Sequence, residues 1–153
     1  MIDKLEAAGK IARGTSVDFA RSAVALVVRR GATKPDISSL AGFKRALMSA
    51  RFITYPDPAR GGAEGVLITH DLDRLGLTDE IKSKTVFPKP GHFAAELVAN
   101  GEAEVAIAQP MEALLQPGVE IVGPLHPNYK VQRALRSPPA NLQMPKTEQQ
   151  PML

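Results

Sequence analysis

The sequence predicts an α/β fold with a mainly parallel sheet flanked by helices. Three observations lead there: short apolar runs rich in β-branched residues, amphipathic segments of helical period between them, and glycine or proline at most changeovers. Strands alternating with helices at this spacing are the pattern of βαβ units.

Met1 to Lys10 reads as a short amphipathic helix closed by a glycine. Ser22-Ala-Val-Ala-Leu-Val-Val28 is nearly all apolar, with charge on both sides, and reads as a strand buried on both faces. Gly31 begins a turn, and Ile37 to Ala50 follows as a helix with Leu40, Phe43 and Leu47 on one face and Asp36 or Ser38 as its cap. Arg51 to Tyr55 is a second strand, and Gly65 to Leu75 a helix closed by Gly76. Thr85-Val-Phe87 is a short strand, His92 to Asn100 a helix ended by Gly101, and Glu104 to Ala108 a strand. Met111 to Leu115 is a single helical turn, and Val119 to Val122 the final strand before Gly123-Pro124. From about residue 127 the pattern stops, and Asn141 to Leu153 is rich in Pro and Gln, so 126–153 reads as a disordered tail.

With 153 residues and 44% hydrophobic content, the chain is long enough for one globular domain with a real core. The absence of cysteine excludes thiolate metal sites, cysteine nucleophiles and disulfides, and leaves the redox compartment open. The net charge of +3 comes from 19 basic and 16 acidic residues interspersed along the chain, so no basic face points to nucleic acid. Without Trp and with two Tyr, there is no stacking platform for single strands. No stretch approaches the roughly 20 apolar residues that span a bilayer, and the N-terminus does not resemble an export signal.

The chemistry concentrates at Thr54-Tyr-Pro-Asp-Pro-Ala-Arg-Gly-Gly-Ala-Glu-Gly-Val66, where a strand ends, a glycine-rich turn follows and a helix begins. Unpaired N–H groups at a helix N-terminus and the positive end of its dipole favour a bound anion. The same glycines also suit an ordinary tight turn, and the row is neither a Walker A motif nor a G-x-G-x-x-G fingerprint. In an open α/β sheet, ligands sit beyond the carboxyl ends of the strands. Pro56 to Gly65, Pro88 to His92 and Gln109-Pro-Met111 are three such ends and can line one cleft.

His70, His92 and His126 are too far apart for a metal motif, and His70 and Asp71 are expected on different helix faces. His70 reads as a solvated helix residue. His92, expected at a helix start facing the cleft, either donates to an anion or lies on the surface. Ser38 and Ser39 lack a nucleophile elbow and read as caps, and Glu102 and Glu104 read as solvated charges. No catalytic residue, metal or cofactor is expected.

Arg21 to Ser39, Tyr55-Pro-Asp-Pro-Ala-Arg-Gly-Gly, Arg74-Leu-Gly76, Ala95 to Glu104 and Pro117 to Leu125, in that order, resemble the molybdate-binding-protein-like branch of the substrate-binding proteins of ABC transporters. That resemblance implies the type II periplasmic binding protein fold: two α/β lobes joined by crossing strands, with a tetrahedral oxyanion held between them. It makes residues 1–21 a remnant of the first lobe, 22–34 a crossing strand or hinge, and 35–125 the second, ligand-binding lobe. Ala63 or Glu64 resembles the backbone donor before the second-lobe helix, and Gly91 or His92 the donor at the next. Gln109 sits where molybdate binders place a tyrosine. The first-lobe loops that carry serine ligands have no counterpart here, so the resemblance implies a truncated, half-complete site. It further implies an oxyanion ligand, a permease partner if the chain is exported, a periplasmic location and no catalysis. The alternative is the effector-binding domain of a LysR-type transcriptional regulator, which reuses this architecture.

Overall fold

The computed structural model describes residues 2–10, 12, 17–60, 62–125 and 132–137, so His126 and most of the presumed tail lie outside the described residues. The chain divides into two units, one of residues 1–21 and 134–153 and one of residues 22–133.

In the first unit, helix α1 (Ile2–Ala7) ends as its glycine predicts. Gly9 takes a φ of +67°, and Lys10 N–H reaches back to the Leu5 carbonyl at 2.9 Å, satisfying an end-of-helix acceptor. Strand β1 (Val17–Ala23) pairs with β6 (Gln132–Ser137) in a two-stranded sheet. A strand at 132–137 was not expected, since Gln132 to Ser137 shows neither alternation nor a continuous apolar run.

The second unit is built on a four-stranded sheet in the order β3-β4-β2-β5. Its strands are β2 (Ala25–Arg29), β3 (Ile53–Thr54), β4 (Val105–Ala108) and β5 (Val119–Pro124). β3 and β4 run parallel, Thr85 adds a parallel bridge to Ile53, and β2 runs antiparallel to both β4 and β5. Strands β3, β4 and β5 therefore share one direction, and β2 alone is inserted against them.

Period-two alternation on this sheet makes two cores. Leu26, Val28, Val105 and Ile107 face one layer, where they meet Phe43, Leu47, Ile68 and Leu72. Val27, Ala106 and Ala108 face the other, against Ala94, Ala95, Leu97 and Val98. Helices α2 (Leu40–Ser49), α3 (Ala63–Arg74) and the short α4 (Thr78–Lys82) cover the first face. Helices α5 (Ala94–Asn100) and α6 (Pro110–Leu115) cover the second. Helix α4 was not expected, because only Leu77 and Ile81 in that stretch are buried and its remaining residues are polar.

The ends of α2 show how side chains finish what the backbone leaves open. Ser39, rather than Asp36 or Ser38, is the N-cap: its Oγ accepts from Gly42 N–H at 3.0 Å, while Asp36 Oδ1 accepts from Ser38 N–H at 2.9 Å. At the other end Lys84 Nζ donates to the carbonyls of Leu47, Met48 and Ala50 at 2.9, 2.7 and 3.0 Å. A cation there opposes the negative end of the helix dipole and satisfies acceptors that have no partner within the helix. Lys84→Met, which keeps the stem and removes the charge, is expected to cost about 1–3 kcal/mol in urea unfolding. A midpoint equal to the parent's would show that these three bonds add nothing to stability.

Candidate functional site

The parallel strands β3 and β4 point their carboxyl ends the same way, and the segment after Thr85 joins them. A cavity of about 400 Å³ opens there, lined by Pro56, Asp57, Arg60, Ala63, Glu64, Gly91, His92 and Glu112 among others. Two of the three expected strand ends, Pro56 to Gly65 and Pro88 to His92, contribute to its lining; no residue of the third, Gln109-Pro-Met111, does. A larger cavity, about 800 Å³, lies at the opposite ends of the same strands, with Arg29, Arg45, Arg51, Asp36 and Glu104 in its wall. None of the expected site residues lines it.

The glycine-rich turn builds the first wall. Asp57 Oδ1 accepts from Ala59 N–H at 2.9 Å and its Oδ2 lies 3.3 Å from Arg60 Nε, which tightens the single turn of 3-10 helix at Pro58–Arg60. Helix α3 then starts with Gly62 as its N-cap, extended at φ −65° and ψ 127°, with no side chain capping it. The first N–H groups of an α-helix have no i−4 acceptor within it, and Gly62, Ala63 and Glu64 place this helix start at the cavity rim. Two residues further on, the chain passes so close to Gly65 that a Cβ would collide with the Pro56 carbonyl oxygen and touch Asp57 C and Pro58 N at 3.0 Å. Gly65 is the glycine this turn requires; Gly62 would meet nothing within 4 Å.

The second wall departs from expectation at one residue. α5 begins at Ala94 with Phe93 as its N-cap, so His92 lies in the preceding turn rather than at a helix start. Gly91 supplies the positive φ of that turn, +83°, and His92 N–H donates to the Lys89 carbonyl at 3.0 Å. The imidazole is committed as well: Nδ1 is 2.6 Å from Glu96 Oε2. Glu96 Oε1 accepts from Phe93 N–H at 3.1 Å. The His92 contact, then the Phe93 bond, hold the Glu96 carboxyl below its ordinary value.

Gln109 caps α6 and reaches across to the first wall, where its Nε2 donates to Glu64 Oε2 at 3.0 Å. It joins the site by fixing Glu64 rather than by lining the cavity. The residue missed from the sequence is Glu112. It lies in the first turn of α6, lines the cavity, and is 7% exposed. Its Oε2 is buried and makes no hydrogen bond with any described residue. Burial, then the charges of Glu64 and Glu96, push its carboxyl up to about 7. The signal that could have found it is positional: a carboxylate three residues past Gln109 on a one-turn helix at the end of a buried strand.

The other candidates fall outside the cavity. His70 is exposed, as expected, but its Nδ1 comes within 3.6 Å of Asp71 Oδ1, and Arg74 Nη1 lies 3.7 Å from the same oxygen. The two side chains therefore do not diverge as helical spacing suggested. Glu104 pairs with Arg51 at 2.6 Å at the far end of the strands. Among the described residues, no group of three or more His, Cys, Asp or Glu could hold a metal ion, and no helix is long and apolar enough to cross a membrane.

Residues 1–150 match the family of bacterial extracellular solute-binding proteins. An aconitate isomerase from a Pseudomonas species is 37% identical over 123 residues, 80% of this chain and 45% of the relative. Two solved structures share the fold. The substrate-binding domain of a putative molybdenum ABC transporter from Clostridium difficile superposes with a TM-score of 0.65 at 17% identity, over 88% of this chain and 56% of the other. The periplasmic molybdate-binding protein of Azotobacter vinelandii gives 0.54 at 21% identity, over 88% and 58%. The chain thus spans about half the length of the proteins it matches. The family match does not favour the LysR-type alternative. Because that match runs through the sheet and through every turn that walls the cavity, the chain belongs to the bacterial extracellular solute-binding proteins.

Proposed function

We propose that this chain is a solute-binding component of an ABC transport system and takes a small oxyanion at the cavity between α3, α5 and α6. The observation that carries the reading is the position of the α3 start, where Gly62, Ala63 and Glu64 border a cavity at the carboxyl ends of parallel strands. Neutral N–H donors replace the hydration shell of an anion without a fixed counter-charge. Gly91 and His92 form the facing rim, and Gln109 sets the position of Glu64. In this reading the described wall is half of a closing site, a permease is the partner, and the periplasm is where solute is met.

A second reading is favoured by one observation. Glu112 titrates near neutral pH inside the cavity, which suits a group that both takes and gives a proton, and an aconitate isomerase is among the relatives.

One titration tests both. Molybdate, tungstate, sulfate and trans-aconitate are added to the chain and followed by calorimetry and by amide NMR. Saturable binding with a dissociation constant of about 0.1–1 mM is expected, with shifts at Gly62, Ala63 and Glu64. Sub-micromolar affinity would overturn the half-site reading, and the absence of shifts with all four would overturn the anion reading. Conversion of trans-aconitate during the titration would establish the second.

A further inference from the structure

Glu112 creates a conflict with any anion bound in this cavity. Its side chain is more than nine-tenths buried, it borders the cavity, and its Oε2 has no hydrogen-bond partner among the described residues. An ionised carboxylate in that position would repel the solute and would itself lack compensation. The charged groups around it offer none. On α3, Glu64 is acidic and holds Gln109. On α5, Glu96 is acidic and holds His92 and the Phe93 N–H. On the 3-10 turn, Arg60 is paired with Asp57.

We propose that Glu112 serves the site as a neutral acid whose O–H donates to an oxygen of the bound anion, so that solute and one proton are taken up together. This rests on the anion reading above. A protonated carboxyl removes the repulsion, leaves no uncompensated charge buried, and converts the group that opposes the anion into one that binds it. The proton comes from solvent: carboxylate, proton and anion combine to a hydrogen-bonded acid–anion pair, and ionisation of the acid releases the anion. Such a donor selects fully ionised oxyanions, which bring acceptors and no proton of their own. Burial and the flanking acids already hold the carboxyl near 7, so the coupling falls within the neutral range.

The test is a molybdate titration of the chain and of Glu112→Gln, by amide NMR, between pH 6 and pH 8.5. Affinity of the parent is expected to fall about 30-fold across that range, following the fraction of Glu112 protonated. Glu112→Gln keeps a neutral donor of the same shape, and its affinity is expected to stay within about twofold throughout. The Glu112 carboxyl resonance in the parent provides a reading that needs no variant: its titration midpoint should rise when molybdate saturates the site. Equal pH dependence in parent and variant overturns the proposal and leaves the anion reading standing. So does a midpoint that molybdate does not move. A parent that binds no anion at any pH overturns both.

Discussion

Gly65→Ala lowers the stability of the chain by about 2–4 kcal/mol, because the new methyl collides with backbone rather than with a yielding side chain. The Pro56 carbonyl oxygen, Asp57 C and Pro58 N all lie within reach of that Cβ, and none can swing away without moving the turn. Pro56 and Pro58 have fixed φ, so relief must come from lifting the first turn of α3 off the strand end. That movement displaces Ala63 and Glu64, so anion-induced amide shifts should weaken in parallel with stability. Gly62→Ala is the control: with open space around it and a φ of −65°, it should change stability by less than about 1 kcal/mol. If Gly65→Ala unfolds at the parent's urea midpoint, the close approach does not constrain the site.

The contrast between these glycines marks how far the sequence can be read. That a strand ends, a turn follows and a helix begins at 54–66 is legible from local composition. Which glycine is indispensable is not, since the contact is with a carbonyl nine residues back. The nearly continuous apolar run at 22–28 announces one strand buried on both faces; Ser22 and Ala23 instead end β1, while in β2 Leu26 and Val27 do enter different cores. Its antiparallel insertion between β4 and β5 is hidden, because direction depends on partners about 80 residues away in β4 and 90 or more away in β5. Helix α4 gives little periodic signal in five residues, and its presence follows from the burial of Leu77 and Ile81. Lys84 reads as a surface charge until the fold brings three carbonyls of α2 to it. At the site, Ala63, Glu64, Gly91 and His92 line one cavity, and Gln109 does not. Glu112 stays invisible for a physical reason: sequence gives its charge and its helix, while its chemistry comes from desolvation and from acids on two other helices.

Glu112→Gln stabilises the chain at pH 8 by about 1–3 kcal/mol and leaves it nearly unchanged at pH 4.5. The sign follows from proton counting. In the unfolded chain this carboxyl titrates at its ordinary value of 4.5; in the folded chain burial, then Glu64 and Glu96, raise it to about 7. Between those values the folded state holds more proton than the unfolded state, so its stability falls as pH rises through the window and levels off above it. Glutamine has the same shape and no charge to desolvate, so the variant lacks this term. Other carboxyls act in the opposite sense: Asp36, Glu96, Glu104 and Glu120 are held below their ordinary values by hydrogen bonds and nearby cations, and they favour folding once ionised. The parent's own curve is therefore a sum, and the difference between parent and variant isolates Glu112. Thermal unfolding at half-unit steps from pH 4.5 to 8.5 should show the two curves together at the acid end and diverging through neutrality. By pH 8 the variant should melt about 4–10 °C higher. Parallel curves would mean that Glu112 is solvated as an ordinary carboxylate, and the acid–anion pair proposed for the cavity would lose its basis with it.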